Sequence, residues 1–356
     1  MKNKLLKHNI KEICYIALAW VILTTFFLYI KFNDISGYYF QIIYGQHYKI
    51  SKQELFIVSL GTSIPLGLML GILHTYVYPR LRRLKLIIVI ILRIFLFCLL
   101  LVTIELVFYI LFENNSGNFG NELFRKQGGQ TILVYTLSTE FLTTVLIILR
   151  RSLGGGYFSS LLKNTYGNPR EEERVFMFLD LEDSTPIAEK IGHLDYSKFI
   201  QDCFWDLSDV VLKYEGEIYQ FVGDEAVITW KVNSEIDYLK CIDLYYNFSE
   251  ILNNRGKYYT LNYGHLPKFR CAIHNGKVST ALVGNYKREI AYHGDVLNLC
   301  ARIQAECKDN KANVLVSEYF AKHLKSSDRY TFSQLVFSNL KGIKCSQIAF
   351  IVNPVN

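Results

Sequence analysis

Four long apolar runs crowd the first 150 residues and leave the chain little choice of solvent. Ile13–Ile30, Leu55–Tyr78, Leu86–Phe112 and Thr131–Leu149 are each near or above the ~20 residues that carry a helix across a hydrocarbon core. In that medium the backbone must satisfy its own hydrogen bonds, which a helix does within one segment. The chain of 356 residues is 51% hydrophobic, and the excess lies almost wholly in this half. The first run is aromatic, lacks a small-residue cleavage site and is followed by three more. It is therefore expected to be a span and not a cleavable leader.

Basic residues set the orientation. Lys2, Lys4, Lys7 and Lys11 precede the first run, Arg80, Arg82, Arg83 and Lys85 lie between the second and third, and Arg150 and Arg151 follow the fourth. The other two connections are longer and less basic. Four spans with both termini cytoplasmic satisfy the positive-inside rule. The net charge of +7 is then largely a topology signal. No basic run with interleaved aromatics argues for nucleic acid. The eight cysteines show no Cys-x-x-Cys pair or Cys/His ligand spacing, which speaks against a zinc site or disulfide framework.

The expected organisation is a transmembrane domain over residues 1–151 (spans about 13–30, 55–78, 86–112 and 131–149), a linker over 152–170, and a cytoplasmic domain over 171–356. Gly154-Gly155-Gly156 in the linker disfavours a continuous helical rod, at about 1 kcal/mol per glycine relative to alanine. Beyond it the pattern predicts a strand at Arg174–Leu181, a helix at Tyr196–Tyr214, and strands Glu217–Val222 and Ala226–Lys231 around a Gly223-Asp224 turn. Next come a helix at Ile236–Leu252, a strand at Lys268–Gly276, a helix at Asp295–Cys307, a strand at Val314–Ser317 and a short helix at Tyr319–Lys325. Two closing strands lie around Tyr330–Ser338 and Gln347–Val352. The order β-α-β-β-α-β is that of a ferredoxin-like α+β domain.

Two of these strands end in aspartates at turns: Phe178-Leu179-Asp180-Leu181-Glu182-Asp183-Ser184-Thr185 and Phe221-Val222-Gly223-Asp224-Glu225. An isolated Asp in a turn is ordinarily a turn former or a cap. Two at neighbouring strand tips can instead hold a pair of divalent metals on a triphosphate. Later, Tyr292-His293-Gly294-Asp295-Val296-Leu297-Asn298-Leu299-Cys300-Ala301-Arg302 sets Asn298 and Arg302 four apart on one helical face. These three blocks, in this order, resemble the catalytic domain of class III nucleotidyl (adenylate/guanylate) cyclases, of bacterial membrane-anchored type. The resemblance covers roughly residues 170–353 and implies the same ferredoxin-like fold.

It also implies roles. Asp180, Asp224 and the carbonyl of Leu181 match the family's ligands for two Mg²⁺ or Mn²⁺ ions. Asn298 and Arg302 match the pair that orients the ribose and neutralises phosphate oxygens, a task suited to the planar guanidinium. Lys341, in Asn339-Leu340-Lys341-Gly342, matches a triphosphate-binding lysine. Leu181–Thr185 would offer backbone N–H groups to the phosphates, with Ser184 and Thr185 available as caps. The base-selecting positions depart from the family pattern. They are Gln220, whose amide can donate to adenine or accept from guanine, and Ala291, which can read neither base with its side chain.

In the family, one site draws its aspartates and its Asn/Arg pair from two domains. This chain carries both sets once, so a head-to-tail homodimer is implied, held by the catalytic domain and the membrane helices. The implied function is a membrane-bound adenylate cyclase of the bacterial inner membrane, converting ATP to cyclic AMP and pyrophosphate. The alternatives are a guanylate cyclase using GTP, or a catalytically silent membrane receptor with a cyclase fold. In the spans, Gly61, Gly67 and Gly71 suit close helix packing. Similar inferred depth in the outer half suggests that Glu105 and Glu140 meet, with His74 and Arg93 nearer the cytoplasmic ends.

Overall fold

The computed structural model describes residues 2–34, 52–77, 88, 91–92, 94–99, 102, 127–153, 165–233, 236–324, 328–337 and 347–355. It divides into two compact units, Met1–Arg151 and Ser152–Asn356.

In the first unit, helices α1 (Lys2–Asp34) and α2 (Lys52–Ile72) pack together, α2 runs into a π-helical turn at Leu73–Val77, and α3 spans Gln127–Leu153. Trp20, Leu66, Leu70 and Phe97 form the buried core. The glycines explain how close α1 and α2 come. A Cβ on Gly67 would lie 2.8 Å from the Ala17 backbone, and one on Gly71 3.0 Å from Ile13, whereas Gly61 faces open space. Close packing thus holds for two of the three glycines expected to serve it. Among the described residues one helix is long and apolar enough to cross a membrane, Asn9–Phe26, with shorter apolar helices at Ser63–Val77 and Val134–Leu149. Most of the third expected span, with Arg93 and Glu105, lies outside the described residues. Glu140 meets His74 at 3.3 Å, both nearly buried. The contact joins two residues that basic-residue topology places in opposite halves of their expected spans.

The second unit is built on one mixed sheet. Strands β1 (Arg170–Leu181), β2 (Glu217–Val222), β3 (Glu225–Lys231), β4 (Phe269–Val283), β5 (Glu289–His293), β6 (Val314–Ser317), β7 (Tyr330–Phe337) and β8 (Gln347–Pro354) stand in the order β2-β3-β1-β4-β6-β8-β7, with β5 paired to β4. The first four strands have the ferredoxin-like order, all antiparallel, and β6 joins β4 in parallel. β1 is apolar on both faces because both are covered. Val175, Met177, Leu179 and Leu181 face α5 (His193–Lys213), α6 (Leu239–Asn254) and α7 (Gly256–Tyr263), whereas Phe176 and Phe178 face α8 (Asp295–Asp309). Two more short helices, α4 (Ser184–Ile191) and α9 (Glu318–Ala321), complete the unit.

The largest departures from the sequence pattern concern β4, β5 and α7. β4 does not stop at Gly276 but continues to Val283. Glycine normally weakens a strand; here its bareness is needed, since a Cβ would lie 2.8 Å from Val296 Cγ2 on α8. The sequence pattern also omitted β5 and α7. β5 runs from Glu289 to His293 with only Ile290 and Tyr292 to favour a strand, and α7 lacks an apolar stripe. Instead, α7 is held by tyrosines: Tyr258 and Tyr263 donate to Asp202, and Tyr259 to Asp206, all from 2.6 to 2.7 Å.

Candidate active site

The pairing register of β1 assembles the site's acidic end. Asp180, next to the last residue of β1, lies opposite Glu225 on β3. The hairpin that precedes Glu225 turns through Gly223 and Asp224. Gly223 has φ +63°, the left-handed geometry that primed hairpin turns ask of glycine. Three carboxylates, Asp180, Asp224 and Glu225, thus crowd one corner. Burial and the Asp224 charge raise the Asp180 pKa, which Gln304 on α8 partly offsets by a hydrogen bond. Burial, Asp180 and Asp224 push Glu225 up to about 7. A cation would relieve this crowding.

Among the described residues no three His, Cys, Asp or Glu side chains form a metal-holding cluster. A nucleotide-borne metal does not require one. Mg²⁺ and Mn²⁺ take hard oxygen ligands, and Mg²⁺ typically uses one or two carboxylates while substrate phosphates and waters complete its shell. Asp180, Asp224 and the Leu181 carbonyl fit that donor set.

A cleft of about 350 Å³ opens beside these residues, lined by Asp180, Leu181, Glu182, Asp183, Ser184, Thr185, Pro186, Arg270, Gln304, Ala305 and Lys308. A larger cavity of about 480 Å³ adjoins α1 and α2, but its lining of Val21, Ile22, Thr25, Phe26, Phe56 and Leu60 supplies no acid, base or metal ligand. In the polar cleft, Asp183 takes the left-handed conformation (φ 53°) and α4 starts at Ser184 without a side-chain cap. Ser184 and Thr185 therefore fall in the first turn of the helix, where the sequence had suggested caps. Their position leaves the helix's free N–H end at the cleft. Two cations line the cleft that the sequence did not single out. Arg270 pairs with Glu182 at 2.9 Å and lies opposite Asp180 in the β1–β4 register; Lys308 comes from the last turn of α8. Only strand register and helix orientation bring them to Asp180, and no local motif announces either.

Asn298, Arg302, Gln220 and Ala291 do not line this cleft. α8 buries Val296, Cys300, Ile303 and Cys307 against the sheet. Gln304 and Lys308 flank that stripe, whereas Asn298 and Arg302 stand roughly 120° further round the helix at 3.6 residues per turn. Neither lines the cleft of its own chain, and Asn298 is exposed. Gln220 is exposed on β2 beside a bulge between Ile218 and Gln220. Ala291 is half-buried on β5 opposite Ala281. Thr185 is exposed at the cleft. Lys341 lies outside the described residues.

Residues 168–354 match the family described as the adenylate and guanylate cyclase catalytic domain. Adenylate cyclase 2 of Rhizobium meliloti (strain 1021) is 35% identical over 194 residues, covering 54% of this chain and 53% of that protein. Adenylate cyclase 1 of the same strain is 25% identical over 197 residues, covering 52% of this chain and 29% of that protein. The chain thus spans about half the length, or less, of these curated relatives. A solved bacterial light-regulated adenylyl cyclase superposes with a TM-score of 0.54 at 16% identity, over 65% of this chain and 67% of that one.

Proposed function

Because the chain belongs to the adenylate and guanylate cyclase catalytic-domain family through residues 168–354, we propose that it is a membrane-bound adenylate cyclase. It makes cyclic AMP and pyrophosphate from ATP, with each site shared between two copies. The observation that carries this reading is the meeting of Asp180 and Asp224 at adjacent strand tips, beside a cleft with a helix start and two cations. The 35% identity to an adenylate cyclase favours ATP, although Gln220 can hydrogen-bond either base.

In the reaction the ribose 3′-hydroxyl gives its proton to solvent as its oxygen bonds to the α-phosphorus, the α–β bridging bond breaks, and pyrophosphate leaves with that electron pair. Asp180, Asp224 and the Leu181 carbonyl would hold divalent metal, which would supply charge neutralisation and lower the pKa of the 3′-hydroxyl. The N–H groups at the start of α4, with Arg270 and Lys308, bind the triphosphate and stabilise the departing pyrophosphate charge. Asn298 and Arg302 point away from their own chain's cleft, so they serve the partner's. There Asn298 orients the ribose and Arg302 stabilises charge on the transferred phosphoryl group. The four apolar runs anchor the chain in a bacterial inner membrane with the catalytic unit cytoplasmic.

The test is product analysis of the detergent-purified chain given ATP or GTP with Mn²⁺. Cyclic AMP is expected, falling by at least about 100-fold in Asp224→Ala. Cyclic GMP alone would reverse the substrate assignment. No cyclic product from folded, dimeric protein would favour the silent receptor.

A further inference from the structure

On the α8-covered face of β1, at the end away from Asp180, a guanidinium occupies the place of an apolar side chain. Arg174 is 2% exposed. Its Nε donates to Thr229 Oγ1 at 3.1 Å, and one terminal nitrogen donates to Glu172 Oε1 at 3.1 Å. The other terminal nitrogen donates to Glu217, and the guanidinium carbon stands 4.7 Å from the centre of the Tyr292 ring. Glu172 is itself held by Lys231 at 2.9 Å and Thr280 at 3.0 Å, and Tyr166 donates to it at 3.3 Å. One side chain on β1 therefore touches β3, β2 and β5 at once.

Burying such an ion is unfavourable until its partners compensate for the lost water, and an apolar residue of similar size would hold a sheet at least as well. Sheet cohesion alone does not call for Arg174. What the planar, five-donor fork adds is direction, because it fixes the relative positions of all its partners.

The strands tied in this way carry both nucleobase positions. Glu217 lies three residues before Gln220 on β2, and Tyr292 directly follows Ala291 on β5. The immediate neighbours of the two positions touch: the Tyr219 and Tyr292 rings meet edge-on, 4.8 Å between centroids. The bulge makes this possible. Tyr219 is the extra residue in β2; Glu217 and Tyr219 face the Arg174 side, while Phe221 turns to stack on Phe204 of α5 at 4.4 Å. Since Ala291 offers no polar side chain, the spacing of β2 and β5 sets the shape of the base subsite.

We propose that Arg174 is a positioning residue for the nucleobase subsite, holding β2 through Glu217 and β5 through Tyr292 at the spacing that sets nucleotide affinity and the preference between adenine and guanine. This rests on the cyclase reading above. The base is remote from the reacting 3′-oxygen and α-phosphorus. Loosening its subsite weakens ground and transition states together, which raises KM and leaves kcat.

The experiment compares wild type, Glu217→Gln and Arg174→Lys as full-length protein in detergent. kcat and KM for ATP and for GTP are measured, together with the thermal midpoint. Glu217→Gln removes one charge from a half-exposed side chain, so it keeps the test open if Arg174→Lys does not fold. Both variants are expected to raise the nucleotide KM on the order of tenfold, to keep kcat within about a factor of two, and to shift the ATP:GTP ratio of kcat/KM. Unchanged KM and ratio, with only the thermal midpoint or the active fraction lowered, would make Arg174 a strut of the sheet and overturn the proposal. A wild type that forms no cyclic nucleotide refutes the cyclase reading itself, and the positioning role with it. An active wild type with unaltered variants refutes the positioning role alone.

Discussion

His274 shows how one buried side chain gives the catalytic unit a pH dependence. It is 7% exposed on β4, with Nδ1 2.7 Å from Ser317 Oγ, and burial depresses its pKa to about 4. The unfolded chain, at ~6.5, binds the proton first. Stability from this residue is therefore complete above about pH 6.5 and falls as the pH drops toward 4. Between pH 7 and pH 5 the loss is about 2 kcal/mol. Thermal midpoints should fall less over that interval in His274→Gln than in wild type; equal slopes would assign the acid sensitivity to the carboxylates. Legibility at this level depended on locality. Asp180 and Asp224 stand out in the sequence because each ends a strand at a turn, and the β1–β3 register then brings them together. Arg270, Lys308 and Arg174 did not stand out, because their meaning depends on which strand or helix face lies opposite.

The contact between β4 and α8 turns on one missing methyl group. The Cβ of an alanine at 276 would lie 2.8 Å from Val296 Cγ2, within two residues of Asn298. Gly276→Ala should cost about 1–3 kcal/mol through overpacking and lower kcat about tenfold by displacing the start of α8. Adding Val296→Ala should recover much of both, as read by thermal unfolding and turnover. A double variant no better than Gly276→Ala would place the strain elsewhere. α7 is tied down by polar groups instead. Asp206, 8% exposed, receives Tyr259 and Arg255. Asp206→Ala should destabilise the unit by roughly 1–3 kcal/mol, because it leaves the buried Tyr259 hydroxyl without its acceptor, and a thermal midpoint within a degree or so of wild type would contradict that. Strong apolar periodicity made β1, α5 and α8 readable from the chain. β5 has only Ile290 and Tyr292 between polar ends to favour a strand, α7 relies on tyrosine hydroxyls in place of a stripe, and β4 continues through a glycine that normally marks an end.

The chain as a whole joins a unit rich in exposed apolar side chains, including Ile22, Phe26, Phe141 and Leu146, to a catalytic unit whose two chemical sets face different ways. Such a surface is unfavourable in water and suits lipid. The full chain should stay with membranes through an alkaline carbonate wash, and release into the supernatant would contradict integral insertion. Composition made the apolar half legible. The orientation of Asn298 and Arg302 relative to Asp180 was not, because it depends on how α8 lies on the sheet. Under the proposed function, that orientation leaves a single copy incomplete and a symmetric pair complete. Co-expression of Asp224→Ala with Arg302→Ala tests this claim most directly. Each variant alone should be inactive, whereas the mixture should regain about a quarter of wild-type cyclic nucleotide production, since half the dimers are mixed and carry one intact site of two. A mixture as inactive as its components would contradict a site shared between copies.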